Sequence, residues 1–424
     1  MLTMYNLLCD LYPINRSITG DGVRETIERI SDEIPIETSS FKSGLNVFDW
    51  TVPDEWNVKS AKIYGPDGEI FVDFKSNNLF LMSYSTPIDK VMTLNELLGH
   101  IVTDESRPDW IPYSTSYYND RWAFCLPYNM VKTMDEGEYR VEIDSEKKPG
   151  ELIYAEAFID NGADKEVLIS SYICHPSMAN DSLSGVVLAV QLYKELVKLN
   201  NLKYNYRFLF TPETIGTICF LHKNKDAIKL NLEYGLVATC LGDKGPFTFK
   251  ESRNERSKLN NVVHKIFEEG IEGKVIKFSP LGSDERQYCS PGFDLDVGVL
   301  TRSMYGCFPE YHTSADNLDF VSQENLNESL EVFIKIIKTY EANCKFSRIN
   351  AFCEPQMGKY GLYGQIGGGG KYNIETQLQQ RMWLLNYADE ITDLLTISKK
   401  SGFSFADLIA TSEELIEAGL IKRI

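Results

Sequence analysis

Histidine is scarce in this chain, with five in 424 residues, and positive charge is outnumbered, with 43 Lys and Arg against 61 Asp and Glu. The resulting formal charge of −18 argues against nucleic-acid and anionic-membrane partners, because phosphate contacts need clustered Lys and Arg. The nine cysteines form no CxxC pair and are odd in number. They read as reduced, mostly buried thiols of a cytoplasmic protein, not as a disulfide framework. No GxGxxG or P-loop pattern occurs, so nucleotide binding has no support. No apolar run approaches the roughly 20 residues of a membrane span. The opening MLTMYNLLCDLYPINRS breaks its apolar stretch with polar groups and lacks a small-residue cleavage site, unlike a signal peptide.

What is present is an ordinary globular composition, 43% hydrophobic and 25% charged, in a chain longer than one core usually supports. Residues 1–44 hold two helical segments, the second with Val23, Ile27 and Ile30 on one face. From 45 to 150, short alternating or aromatic runs separated by Pro, Gly and Asn predict an inserted β-rich domain, sandwich or jelly-roll-like. From 151 to 348 strand and helix patterns alternate, which predicts an α/β fold with a mainly parallel sheet flanked by helices. The glycine-rich stretch 361–370 marks a linker over 349–371. Residues 372–424 have the spacing of a winged helix. Its ADLIATSEELIEAG segment is too acidic for DNA, so it reads as an interaction or dimerisation module, consistent with a homo-oligomer.

Three segments carry chemistry. In YICHPSMANDSLSG, His175 follows a strand end and Asp181 lies six positions on, a pair suited to a divalent metal. The bland alternative is a surface histidine and a capping aspartate. In FLFTPETIGT, Glu213 ends an apolar strand where a lone carboxylate is costly, and a general base is the functional reading. In FPEYHTSADNL, His312 stands in a polar loop with Asp316 four positions on. Two further stretches suggest walls of a cleft. INRSITGDGVRET brings Arg16 and Arg24 to a helix N-terminus, a natural anion site, and residues 110–128 are dense in aromatics.

Together these segments resemble the co-catalytic zinc aminopeptidases, a family with glutamate carboxypeptidase-like and glutaminyl-cyclase-like branches. DSLSG at 181–185 resembles that family's DxxSG, ETIG at 213–216 its EExG, SDE at 283–285 its SDH element, and YHTSADNL its last-histidine segment. Over nearly the whole length the chain resembles a bacterial family with an aminopeptidase-like domain, an inserted β domain and a C-terminal winged helix. Some members of that family are encoded near polysaccharide-biosynthesis genes. The resemblance implies a zinc-exopeptidase-like fold and zinc held by His175, Asp181 and His312, with Glu213 as general base.

Two ligand positions of the two-metal pattern are threonines here, Thr214 and Thr239. One zinc is therefore expected, or two if Cys240, Asp243 or Glu310 stand in. Asp284 and Glu285 are expected to receive a substrate ammonium, and Arg286 a carboxylate or phosphate. The expected substrate is a small peptide or other amide-containing molecule. The alternatives are a modified sugar amide, N-terminal cyclisation, or a non-catalytic metal-binding adaptor.

Overall fold

The computed structural model describes residues 3–362 and 371–424, so residues 363–370 of the expected linker lie outside the described residues. Two compact units divide the chain, one of residues 1–257 with 272–333, the other of 258–271 with 334–424.

An eight-stranded sheet organises the first unit. Its strands are β1 (Glu37–Lys42), β2 (Glu151–Ile159), β3 (Glu166–Tyr172), β4 (Asn205–Thr211), β5 (Leu232–Ala238), β6 (Phe247–Lys250), β7 (Gly273–Ile276) and β8 (Val297–Thr301). They lie in the order β1-β2-β4-β3-β5-β8-β6-β7. The central pairs β4–β3, β3–β5 and β5–β8 are parallel, whereas β1–β2, β2–β4 and β6–β8 are antiparallel. Every residue of β3 and β8 is buried, because strands covered on both faces have no polar side to show.

Helices α1 (Met4–Leu11) and α2 (Asp21–Ser31) precede β1, and α2 buries Val23, Thr26, Ile27 and Ile30. Helix α3 (Gly185–Leu196) follows β3, and α4 (Ile215–Lys223) follows β4. A Cβ at Gly185 would meet the Ala238 carbonyl at 2.0 Å and Ser171 Oγ at 2.9 Å. Glycine therefore lets α3 settle onto β3 and β5 at backbone distance. Gly185→Ala should lower unfolding stability by about 1–3 kcal/mol through overpacking, read as a lower denaturant midpoint; an unchanged midpoint would contradict this packing.

The chain leaves the α/β scaffold between β1 and β2, so the insertion breaks no pairing of the sheet. The inserted segment forms an antiparallel sheet of residues 70–73, 55–64, 138–148 and 88–93, in that spatial order. Strand Glu138–Lys148 alternates in burial, as a half-solvated antiparallel strand should. Its inward Tyr139, Val141 and Ile143 join the same core as Leu168, Val237 and Val297 of the large sheet.

The second unit has a three-stranded antiparallel sheet with Lys345–Arg348 between Asp389–Asp393 and Ile421–Arg423. Its last two helices, Leu394–Ser401 and Phe405–Glu417, are capped by Asp393 and Ser404, and the first ends on Gly402 at φ 76°, the left-handed stop that glycine allows. No helix among the described residues is long and apolar enough to cross a membrane.

Candidate metal and active site

The site is built at the carboxyl ends of parallel strands, where open α/β sheets gather functional groups. Cys174 and His175 follow β3, Asp181 precedes α3, Glu213 follows β4, and His312 lies beyond β8. His175, Asp181 and His312 present ligand atoms all within 4.8 Å of one another. His312 Nε2 lies 3.0 Å from Asp181 Oδ2. The other oxygen, Oδ1, accepts the Tyr172 hydroxyl at 2.6 Å and Thr239 Oγ1 at 3.2 Å. Behind this loop, the backbone N–H groups of Asn180 and Asp181 donate to the Asp316 carboxylate at 2.6 and 2.9 Å. The Asn180 side-chain amide donates to Asp243 at 2.9 Å. Tyr172, Thr239 and His312 thus hold the Asp181 carboxylate, while Asp316 and Asp243 hold the loop that carries it.

Burial pushes the His175 imidazole down to about 4, keeping it neutral, the form that donates a lone pair to a metal. Burial alone would raise Asp181, but His175, the hydrogen bond and charge of His312, and the Tyr172 hydroxyl outweigh it and hold the carboxyl down to about 2. His175 Nδ1 is buried without a hydrogen-bond partner, an orphan atom that calls for an explanation. Two imidazoles and a carboxylate, with such a nitrogen to spare, fit zinc well.

A second donor group, Cys174, His175 and Glu213, overlaps the first at His175. Glu213 Oε2 is 3.7 Å from His175 Nε2, and the Glu213 N–H donates to Cys174 Sγ at 3.3 Å. Burial, then the facing Asp284 and Asp181 carboxylates, lift Glu213 well above the usual carboxylate range. Elevated proton affinity in a cleft is the mark of a candidate acid or base. Glu213 shares a cavity of about 280 Å³ with Thr214, Arg286, Trp50, Tyr117 and Tyr118. The loops are strained as well: Thr214, Cys240 and His312 have φ of 64°, 51° and 55°, values that non-glycine residues keep only where the surroundings impose them.

The remaining sequence candidates divide sharply. Cys240 is buried and its nearest polar partner is Thr239 Oγ1, 3.6 Å away. Asp243 is occupied by Asn180, Ser303 and Gly245. Glu310 uses its backbone carbonyl to accept from Thr313. None of these three belongs to either donor group, so the structure does not bring them together as ligands of a second ion. Asp284 and Glu285 are fully buried. Asp284 accepts the Thr214 N–H at 2.7 Å, holding the backbone beside Glu213, and Glu285 is paired with Lys250 at 2.6 Å. Neither carboxylate faces the cavity to meet an ammonium; of that triplet only Arg286 does.

The anion site expected at Arg16 and Arg24 is taken up by groups of the chain, with Arg16 Nη2 left buried and unbonded. Arg16 is fully buried and donates through Nε to the His175 carbonyl at 3.0 Å and through Nη1 to the Leu11 carbonyl at 2.5 Å. It positions the His175 loop from behind. Arg24 forks onto Glu55 at 2.8 and 2.5 Å, and the Asp21 N–H at the start of α2 donates to Asn57 Oδ1.

The sequence pointed to the aromatics of 110–128 as a cleft wall, and Tyr117 and Tyr118 line the cavity of Glu213, but it did not show that Tyr113 meets the histidines. Tyr113 from the inserted segment packs edge-on to both His175 and His312, with centroids 5.4 and 5.1 Å apart. Its N–H donates to the His312 carbonyl at 2.9 Å, and Arg107 donates to the carbonyls of Pro309 and Tyr311. The density of aromatics at 110–128 was the available signal, but nothing in it marked which ring meets the histidines.

The family described as Domain of unknown function (DUF4910) matches residues 5–343, and a winged helix-turn-helix family matches 345–423. The second match includes the strand at 345–348, ahead of the glycine-rich stretch. A Clostridium acetobutylicum protein, provisionally named a polysaccharide biosynthesis protein with aminopeptidase-like domain, is 45% identical over 99% of this chain and 96% of its own. A crystal structure of a provisionally assigned peptidase from Clostridium acetobutylicum is 44% identical over 99% of this chain and 96% of that one, with a TM-score of 0.92. The fold is also that of a zinc aminopeptidase from Bacillus subtilis, at 9% identity over 80% of this chain and 94% of that one, with a TM-score of 0.57.

Proposed function

This chain belongs to the family described as Domain of unknown function (DUF4910), with an aminopeptidase-like fold and a C-terminal winged helix, and on that premise we propose that it is a zinc-dependent hydrolase of amide bonds, an exopeptidase acting on small peptides or related amides. The observation that carries this reading is the convergence of His175, Asp181 and His312 beside a buried carboxylate, Glu213, of elevated proton affinity.

His175, Asp181 and His312 would hold the zinc. When bound, the ion supplies Lewis acidity, activating water and polarising a carbonyl oxygen. The protein's own groups do the rest. Glu213 accepts a proton from the attacking water and returns it to the leaving nitrogen. Asp284, through the Thr214 N–H, keeps the Glu213 backbone in place. Tyr172 and Thr239 hold Asp181 Oδ1, leaving Oδ2 directed toward His312.

Elemental mass spectrometry on protein purified without a histidine tag tests the site. About one zinc per chain is expected, lost in both His175→Ala and His312→Ala, with the fold retained by circular dichroism. Absence of metal after zinc reconstitution would sink the hydrolase reading and leave the fold a binding role.

A further inference from the structure

Several arginines of the described residues are paired with carboxylates of the chain. Arg207 forks onto Glu166 and reaches Glu156, Arg24 forks onto Glu55, Arg302 meets Glu328, and Arg381 meets Glu414. Arg286 is different. Its one hydrogen bond among the described residues runs from Nη2 to Thr214 Oγ1 at 2.9 Å, and its Nε is buried with no partner. Of the two acids next to it in sequence, Asp284 accepts the Thr214 N–H through Oδ1 and Glu285 pairs with Lys250 through Oε1, and no hydrogen bond joins either to Arg286. A guanidinium offers five N–H donors in a planar fork, so most of this one is left for something else.

What surrounds it says what that is. Arg286 lines the same cavity of about 280 Å³ as Glu213, whose other walls include Trp50, Tyr117 and Tyr118. Trp50 also borders an adjoining cavity of about 460 Å³ that carries Lys225, Lys229 and Asp49. Across the two cavities Arg286, Lys225 and Lys229 stand against the carboxylates of Glu213 and Asp49, an excess of positive charge in a chain of net charge −18, which favours an anionic visitor. Rings on the walls supply flat apolar contact, and the fork matches a carboxylate or a phosphate through two parallel N–H bonds.

We propose that this cavity is an acid-recognition subsite, in which Arg286 binds a carboxylate or phosphate carried by the substrate group that lies against Trp50, Tyr117 and Tyr118. The proposal rests on the hydrolase reading for the word substrate, but the binding it describes does not require turnover. Selectivity for acidic amides would then come from Arg286, and selectivity against bulky neutral groups from the modest volume of the cavity.

Calorimetric titration of the full-length, zinc-loaded protein separates the possibilities. The probes are N-acetylglutamate α-amide against N-acetylglutamine α-amide, which differ in one carboxylate, and N-acetyl-O-phosphoserine amide against N-acetylserine amide. At least one acid should bind about tenfold or more tightly than its neutral partner. That preference should vanish in Arg286→Gln and persist, weakened, in Arg286→Lys, where the charge stays but the fork is lost. Which acid binds more tightly identifies the anion. Equal binding of acid and neutral partners, a preference that survives Arg286→Gln, or no binding of either acid at roughly millimolar concentration would overturn the proposal. Acid preference without hydrolysis of any amide would keep the subsite and remove the hydrolase reading, while hydrolysis without acid preference would do the reverse.

Discussion

Glu213→Gln should lower turnover about 10²- to 10⁴-fold while the protein keeps its zinc. The substitution preserves the shape and hydrogen-bonding reach of the side chain but removes its ability to take a proton. The residue stands at the end of β4 with its N–H on Cys174 Sγ, and the next N–H is fixed by Asp284; neither contact depends on the carboxylate. The variant should therefore fold normally, with KM changed less than kcat, as expected when a group acts mainly in the transition state. Steady-state kinetics on the amide that the unmodified protein cleaves best, with metal analysis of the same samples, checks this. Wild-type turnover with zinc retained would remove Glu213 from the role. Loss of zinc together with activity would instead make it a ligand through the overlapping Cys174–His175–Glu213 group.

The largest stability effect is expected at Lys250. Its ammonium is 2.6 Å from Glu285, with the two side chains 2% and 0% exposed. Tyr305 is the other hydrogen-bond partner of that carboxylate, at 3.3 Å, and Glu285 Oε2 has none. Lys250→Met would leave a carboxylate buried with one weak donor, at a cost of about 3–5 kcal/mol. The double variant Lys250→Met/Glu285→Met should recover most of that loss, because exchanging a whole buried pair for apolar groups is often neutral. Denaturant midpoints of the three proteins decide it. A single variant within about 1 kcal/mol of wild type would show that water reaches this pair.

The sequence made these contrasts only partly legible. Strand and helix periodicity placed β3, β4, β5 and β8, and the loops after them held His175, Glu213 and His312, because topology sends such loops to one edge. Charge partners were another matter. Nothing local in SDER says that Asp284 turns to a backbone N–H, that Glu285 meets a lysine 35 residues away, and that Arg286 alone faces the cavity. Arg16 and Arg24 misled for the same reason, since a loop entering a helix suggests an open anion site and the carbonyl of His175 and the carboxylate of Glu55 are remote in sequence. The strand at 345–348 escaped notice because four residues ahead of a glycine-rich stretch carry little periodicity, and its pairing partners lie some 40 and 70 residues on.

The hold of Tyr113 and Arg107 on the loop of His312 has a bearing on how this architecture can be shortened. All three histidine and aspartate donors belong to the α/β scaffold, so a version of the protein with 45–150 replaced by a tight turn would still encode the complete donor set. It would nevertheless lack the backbone bond to the His312 carbonyl and the ring packed against both imidazoles, leaving His312, at a positive φ, with fewer contacts to hold it there. The inserted segment is thus not a detachable accessory. Truncation, grafting of the site onto a plain scaffold, or exchange of insertions between relatives would each have to carry residues 107–117 along with the histidines.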